Sequence, residues 1–296
     1  MTAPTTLPPA QLSPTPPPTP SPGARTALRT LVVIAAAVVV LCGLGGLTAA
    51  AVGVGSTRVI ADSQPLPGSM RTLTINTGAV PMRVHIESDD DVREPRVEVR
   101  FVTISDAGEQ SVDISPGMDT RIDVRGRSAD WLEWARAGEL NVVLPSDLGR
   151  RLTVTTEQQL GMLEVDADLD RLVARSVGGA VILDGSARSI DAEVRQGAVI
   201  AHDPILVRET FSANVIDGDI EVEFLDKAPR TIDATSANGS VTLGLPGDGP
   251  FLVNAMTASN RDRAEVSVPQ TADRAEAESV ITARSSSGDV VIESAG

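Results

Sequence analysis

From residue 140 to the C-terminus, apolar and polar residues alternate in short runs that restart at near-regular intervals. The restarts are marked by Gly161, Gly179, Gly197, Gly218, Gly239, Asn260 and Gly288, spaced 18, 18, 21, 21, 21 and 28 residues apart. Two residues after the mark stand Leu163, Val181, Val199, Ile220, Val241 and Val290, and four after it Val165, Leu183, Ala201, Val222, Leu243 and Ile292. The 260 mark departs, with Asp262 at the first apolar place and the alternation resuming at Ala264, Val266 and Val268. Seven residues ahead of the mark are Val154, Leu172, Ile190, Phe211, Ile232, Val253 and Ile281. Five ahead are Thr156, then Ala174, Ala192, Ala213, Ala234, Ala255 and Ala283; three ahead are Gln158, Ser176, Val194, Val215, Ser236, Thr257 and Ser285. Period-two alternation means a strand with one buried face. Each unit therefore predicts two short strands and two turns, with glycine, or asparagine in its stead, where φ is positive.

Neither strand of a unit can bury its apolar face alone, but stacked neighbours can, with like residues about 4.8 Å apart from coil to coil. The expected fold is all-β, a β-solenoid of 18–21-residue coils over residues 146–296, right-handed by the default for parallel connections. A β-sandwich of hairpins is the alternative that the same alternation permits. Residues 70–145 follow the repeat less closely. Leu73–Ile75, Met82–Ile86, Arg96–Val102 and Arg121–Val124 alternate like antiparallel strands that lead into the stack and cap its first coil. Gly138 fits as a mark, since Leu140 and Val142 follow it, but Glu133 stands where alanine belongs.

The N-terminal part is different in kind. Residues 1–30 are rich in proline, hold Arg25 and Arg29 and contain no acid, which predicts a disordered cytoplasmic tail. Residues 31–54 carry no charge, and twelve of them are Leu, Val or Ile. At 1.5 Å per residue such a run spans about 36 Å, enough for one transmembrane α-helix ahead of the repeat. Residues 55–69, with Pro65, Pro67 and Gly68, then form a stalk. Cleavage of a signal peptide after Ala49–Ala51 is the competing reading. The expected location is the cell membrane, crossed once, N-terminus inside and C-terminal domain outside. Cys42, the only cysteine, lies within the apolar run and excludes an intrachain disulfide.

Composition narrows the function. Beyond Ser56 lie all 40 acidic residues and 23 of the 25 basic ones, a balance of −17. With two Trp, four Phe and no Tyr, neither a phosphate-binding surface nor a base-stacking platform is in view, so no nucleic acid is expected. Glu164, Asp166, Asp168 and Asp170 suggest an EF-hand loop, but Arg171 takes the place of its glycine and Val177 that of its last glutamate. They fit a solvated strand face, and Asp89–Asp91 an exposed turn. His202–Asp203 lacks a nucleophile and precedes Pro204; it fits a turn. The Asn238-Gly239-Ser240 sequon coincides with a repeat turn. No Gly-rich phosphate loop, paired metal ligands or nucleophile constellation is present, so neither enzyme activity nor a cofactor or metal site is expected. The binding candidates are Trp131 and Trp134, either a plug over the end of the stack or an exposed platform for envelope sugars or for the membrane interface.

The segments Ile281–Ile292 (ITARSSSGDVVI), Leu140–Pro145 (LNVVLP) and Leu152–Thr156 (LTVTT) resemble the bacterial putative-adhesin repeat family, related to the toast-rack domains of envelope-stress proteins. The resemblance covers roughly residues 70–296. It implies a repetitive all-β fold, often membrane-tethered, without catalytic residues. At Gly179-Ala180 and Gly197-Ala198 the aspartate of the commoner Gly-Asp pair is missing. The expected function is an extracellular adhesin-like interaction module of the cell envelope, meeting a surface ligand that the −17 balance favours as cationic. A transmembrane envelope-stress scaffold, its Pro-rich tail docking a cytoplasmic partner, is the alternative.

Overall fold

The computed structural model describes residues 57–104, 111–126, 138–247, 249–258 and 261–295. They form strands β1 (Thr57–Pro65), β2 (Thr72–Gly78), β3 (Met82–Asp89), β4 (Arg96–Ile104), β5 (Ser111–Ser115), β6 (Asp119–Arg125) and β7 (Gly138–Pro145). After the four-residue helix α1 (Ser146–Gly149) comes β8 (Thr153–Ala201), one extended run that turns at Gly161, Gly179 and Gly197. Then follow β9 (Leu206–Asp217), β10 (Ile220–Glu223), β11 (Thr231–Asn238), β12 (Val241–Leu245), β13 (Phe251–Thr257), β14 (Ala264–Val266), β15 (Ser279–Ser285) and β16 (Val290–Ser294).

Each coil has a first leg before its corner and a second leg after it, and legs of neighbouring coils pair in parallel. Ala192 pairs with Ala213, Ala213 with Ala234, Ala234 with Ala283, and Ala283 with Ala255. On the second legs Val199, Ile220, Val241 and Val290 lie in one column, as do Val222, Leu243 and Ile292. Both sets point inward: Ala192, Ala213 and Ala234 are no more than 1% exposed, and Val199, Ile220 and Val241 not at all. Phe211 and Phe224 meet edge to face inside the same coil at 5.2 Å, a contact that adds to their burial.

The corner glycines are required by contact as well as by conformation. Gly179, Gly197 and Gly218 have φ of 124°, 143° and 140°. A Cβ on them would lie 1.6–1.7 Å from the carbonyl oxygen of the glycine one coil back. No side chain fits there, so the corner repeats as glycine wherever coil sits on coil. The polar residues beside the corners tie the coils together. Ser236 Oγ donates to the Gly218 carbonyl and Ser285 Oγ to that of Gly239. Asp219 Oδ1 accepts from the Ser240 amide of the next coil, and Asp289 Oδ1 from the Arg263 amide. The aspartate of the Gly-Asp pair thus holds a neighbouring backbone N–H.

Three expectations are corrected. Among the described residues the fold includes no transmembrane helix: their only helix is α1, and none is long and apolar enough to cross a membrane. The reason lies in the pattern, since the described chain buries every second residue along strands and so leaves no continuous apolar run. The stretch 31–54 lies outside the described residues. Second, coils do not stack in chain order at either end. β2/β3 lie between the outer coil β6/β7 and the start of β8. Likewise β15/β16 lie between β11/β12 and the outer coil β13/β14. Third, β2, β3 and β6 are parallel coil legs; antiparallel pairing is confined to β1–β4, β4–β7 and β5–β6. β1 falls in the stretch read as a stalk. The corner places also differ at the ends, where Met82 is level with Gly138 and Gly161. Asn260 is outside the described residues, and Asp262 Oδ2 instead receives the amide of Gly288 at 2.9 Å.

Candidate functional site

A broad concavity lies on the outer side of the first legs, just before their corners. Its volume is about 660 Å³, and it runs from Asn76 and Gly78 on β2 across three turns of β8 to Asn214 and Ile216 on β9. Five coils at about 4.8 Å each give it a length of roughly 19 Å. Repetition builds it: positions four before each corner form the row Glu157, Arg175, Glu193 and Asn214, and positions two before form Gln159, Val177, Arg195 and Ile216. The first row is a ladder of alternating charge. Arg175 Nη2 lies 3.0 Å from Asp191 Oδ2 and its Nε 3.2 Å from Glu193 Oε2. The bond to Asp191 raises the guanidinium pKa, against a smaller opposing effect of burial. The second row is where apolar atoms reach solvent, with Val177 43% and Ile216 46% exposed. Arg195 stands between them in that row.

Beneath this groove the interior carries a cluster of polar side chains. Thr77, Thr156, Gln158 and Ser176 are all buried, and Thr77 Oγ1, Thr156 Oγ1, Gln158 Nε2 and Ser176 Oγ have no hydrogen-bond partner among the described residues. Ser236 and Ser285 occupy the same column as Ser176 but bond to the corner carbonyl one coil back. Gln158 already breaks the small-residue column in the sequence, and that is the one signal that points here. The outward rows carry none, because charged and small polar residues at outward positions also make an ordinary solvated face.

The other candidates fall into structural roles. Glu164 pairs with Arg83, which holds its carboxyl below the usual range, and Asp170 is bonded by Arg188 with the same effect. Asp168 accepts from Ser186 Oγ at 2.6 Å. The acidic run is therefore laced into ion pairs and hydrogen bonds between coils. Asp89 Oδ1 accepts the amide of Asp91 at 2.8 Å, closing the acidic turn on itself. Asp203 donates its amide to Asp184 Oδ1 at 3.4 Å, as part of a turn. Asn238 Nδ2 is bonded to Asp217 Oδ1 at 2.7 Å. The structure brings His85 close to two carboxylates, Glu87 at 3.5 Å and Glu164 at 3.8 Å. No group of three or more His, Cys, Asp or Glu among the described residues could hold a metal ion. Trp131 and Trp134 lie outside the described residues.

No protein-family model matches the sequence, and no curated protein does. Among solved structures the chain is similar to a putative adhesin from Parabacteroides merdae, at 10% identity and a TM-score of 0.44, covering 81% of this chain and 97% of that one. It is similar also to a putative adhesin from Bacteroides fragilis, at 11% identity and a TM-score of 0.42, covering 80% and 97%. A lipid-binding protein so named, with the same qualifier, from Parabacteroides distasonis gives 12% identity, a TM-score of 0.40 and coverage of 81% and 97%. At these identities and scores the likeness assigns no function.

Proposed function

We propose that the chain is a non-catalytic, adhesin-like interaction module of the bacterial cell envelope that engages its partner along the first-leg groove. The observation that carries this reading is the groove itself: two outward rows, repeated over successive coils, form one continuous surface of charge, amide and exposed aliphatic side chains. Such a surface offers many modest contacts over length and no reacting centre, which suits binding of an extended partner. The balance of −17 beyond Ser56 favours a partner that is cationic overall and slows the approach of anionic polymers. The resemblance of the repeat segments to the adhesin family supports the same reading. The test is photo-crosslinking in the native envelope, comparing the wild-type chain with Ile216→Glu and with Glu221→Arg on the second legs. The expected result is a partner lost with Ile216→Glu and kept with Glu221→Arg. A partner captured equally by all three chains rejects the groove.

A further inference from the structure

Exposed apolar side chains gather along one part of the corner column. Of the seven large apolar residues exposed among the described residues, Leu160, Met162, Val177 and Ile216 stand within two residues of Gly161, Gly179 or Gly218. The corners themselves divide in two. The three within β8 read Leu160-Gly161-Met162, Gly178-Gly179-Ala180 and Gln196-Gly197-Ala198, with no charge. The later ones read Asp217-Gly218-Asp219, Asn238-Gly239-Ser240 and Ser287-Gly288-Asp289. On the second-leg side Ala180, Ala198 and Ile200 face outward, in alternation with the buried Val181 and Val199. The three β8 corners thus form an apolar ridge, raised at Leu160 and Met162 and low where glycine and alanine follow.

Length and chemistry select what fits it. Two coil steps give the ridge a length of about 10 Å. The i to i+7 apolar stripe of an α-helix covers roughly the same distance. β8 is paired on both sides, to β2 and β3 and to β9 and β10, so the ridge presents side chains and no free strand edge. That suits a docked helix over an added strand. The surrounding charge sets the helix's sign. Of the arginines beside the ridge, Arg83 is paired with Glu164 and Arg175 with Asp191 and Glu193, which leaves Arg195. Against it stand Glu157 on the first-leg side, Glu87 level with Asp166 on the second legs, Asp184 at the same place one coil on, and Asp217 and Asp219 at the next corner. With His85 and His202 both charged the balance would still be negative.

We infer that this ridge docks a basic amphipathic helix, its apolar stripe lying along the stack axis on Leu160, Met162 and Ala180 and its lysines or arginines reaching the row of Glu87, Asp166 and Asp184. The inference rests on the reading of the chain as an interaction module and adds the form of its partner. Long basic side chains suit the site, because their stems cover Ala198 and Ile200 while their heads reach the carboxylates. The acidic surround draws such a helix in and turns an acidic one away.

The test is fluorescence anisotropy of the full chain, at about 0.15 M salt, with a synthetic helical peptide of about 18 residues carrying leucine on one stripe and lysine elsewhere. Two control peptides carry serine for the leucines or glutamate for the lysines. The wild-type chain should bind the first peptide at least about tenfold more tightly than either control. Leu160→Ser with Met162→Ser should raise Kd at least about tenfold, and Asp166→Asn should raise it less and weaken its salt dependence. Leu225→Ser with Met256→Ser, equally exposed elsewhere, should leave Kd unchanged. All five side chains are exposed, so circular dichroism should stay that of the wild type. Equal affinity for the serine peptide, a loss at Leu225 and Met256 as large as at the ridge, or a homodimer that Leu160→Ser with Met162→Ser dissolves would each overturn the inference. So would a Met162→Cys, in a Cys42→Ser background, that a thiol reagent reaches only after Trp131→Ala and Trp134→Ala, because the chain's own residues 127–137 would then fill the ridge. In the envelope cross-linking above, a partner lost with Ile216→Glu and kept with Leu160→Ser and Met162→Ser would overturn the ridge alone and leave the groove standing.

Discussion

The middle of the stack and its two ends are made from the same repeat under different constraints. In the middle, every coil has a coil on both sides, and the corner carbonyl of one occupies the space where the next would place a Cβ. At the ends one neighbour is missing or of another kind, and the rules relax. Met82 takes a corner place at one end, and Asp262 meets Gly288 at the other. The difference teaches that glycine at the corner is enforced by stacking more than by the turn. It also shows where the fold tolerates change, since the chain reorders its coils only at the ends.

The sharpest way to break this comparison is Gly197→Val. Its Cβ would fall 1.7 Å from the Gly179 carbonyl oxygen at φ 143°, against backbone that is not free to move. The coils must part, and the expected outcome is loss of the cooperative transition, or destabilisation of at least about 4 kcal/mol, seen by urea unfolding. Asp262→Ala, level with Gly288 beside the outermost coil, removes one amide acceptor and should cost only about 1 kcal/mol. Equal losses would mean that the corner column is governed by the turn alone. Next in size is Phe211→Ala. The ring is fully buried against Phe224, so its removal should cost about 3–5 kcal/mol. Val266→Ala in the half-open outer coil should cost well under half of that.

A smaller effect sharpens the comparison inside one column. Ser236→Ala gives up the bond to the Gly218 carbonyl at 2.8 Å and should lose about 1 kcal/mol. Ser176→Ala, in the same column beneath the groove, removes a hydroxyl that has no partner among the described residues. It should leave stability unchanged or raise it, because an unsatisfied buried hydroxyl is itself a cost. A loss as large as that of Ser236→Ala would show that Ser176 is satisfied in solution and that the polar interior there is built for a purpose.

The middle of the stack is legible in the sequence because its causes are periodic. One carbonyl clash per coil writes one glycine per repeat, and the alanine column follows from a shared register, so Ala192, Ala213 and Ala234 could be aligned before any coordinates. The ends are not legible for the converse reason. Placing β15/β16 inside β13/β14 changes no residue's apolar or polar character, and the two residues of slack before Asp262 hide the true level of that coil. The strands of residues 70–145 read as antiparallel because alternation has no direction. The groove was half visible: Gln158 stands out from its column, but Glu157, Arg175 and Glu193 look like any solvated strand face until the 18-residue repeat brings them into one row.

The smallest effect concerns the charge that ties neighbouring coils. Arg188 holds Asp170 and Glu209, at 2.8 and 2.9 Å, and its hydrogen bond keeps the Asp170 carboxyl below its ordinary value of 3.8. The folded state therefore binds the proton more weakly than the unfolded chain does. The resulting stability is complete above the ordinary carboxylate range and is lost as pH falls through that value toward the lowered one. Arg188→Met should destabilise the protein slightly at pH 7, since the pair is solvent-exposed and screened. The gap between variant and wild type should then narrow steadily below about pH 4. Arg121→Met removes the same kind of bond from Asp123 two residues along β6, within one strand and not between coils, and should show the same narrowing as a control. Urea titrations of both variants at neutral and acid pH measure it. A gap that stays constant through the acid range for Arg188→Met would mean that Arg188 acts by covering the coils with its aliphatic stem, and that its ion pairs are not what links one coil to the next.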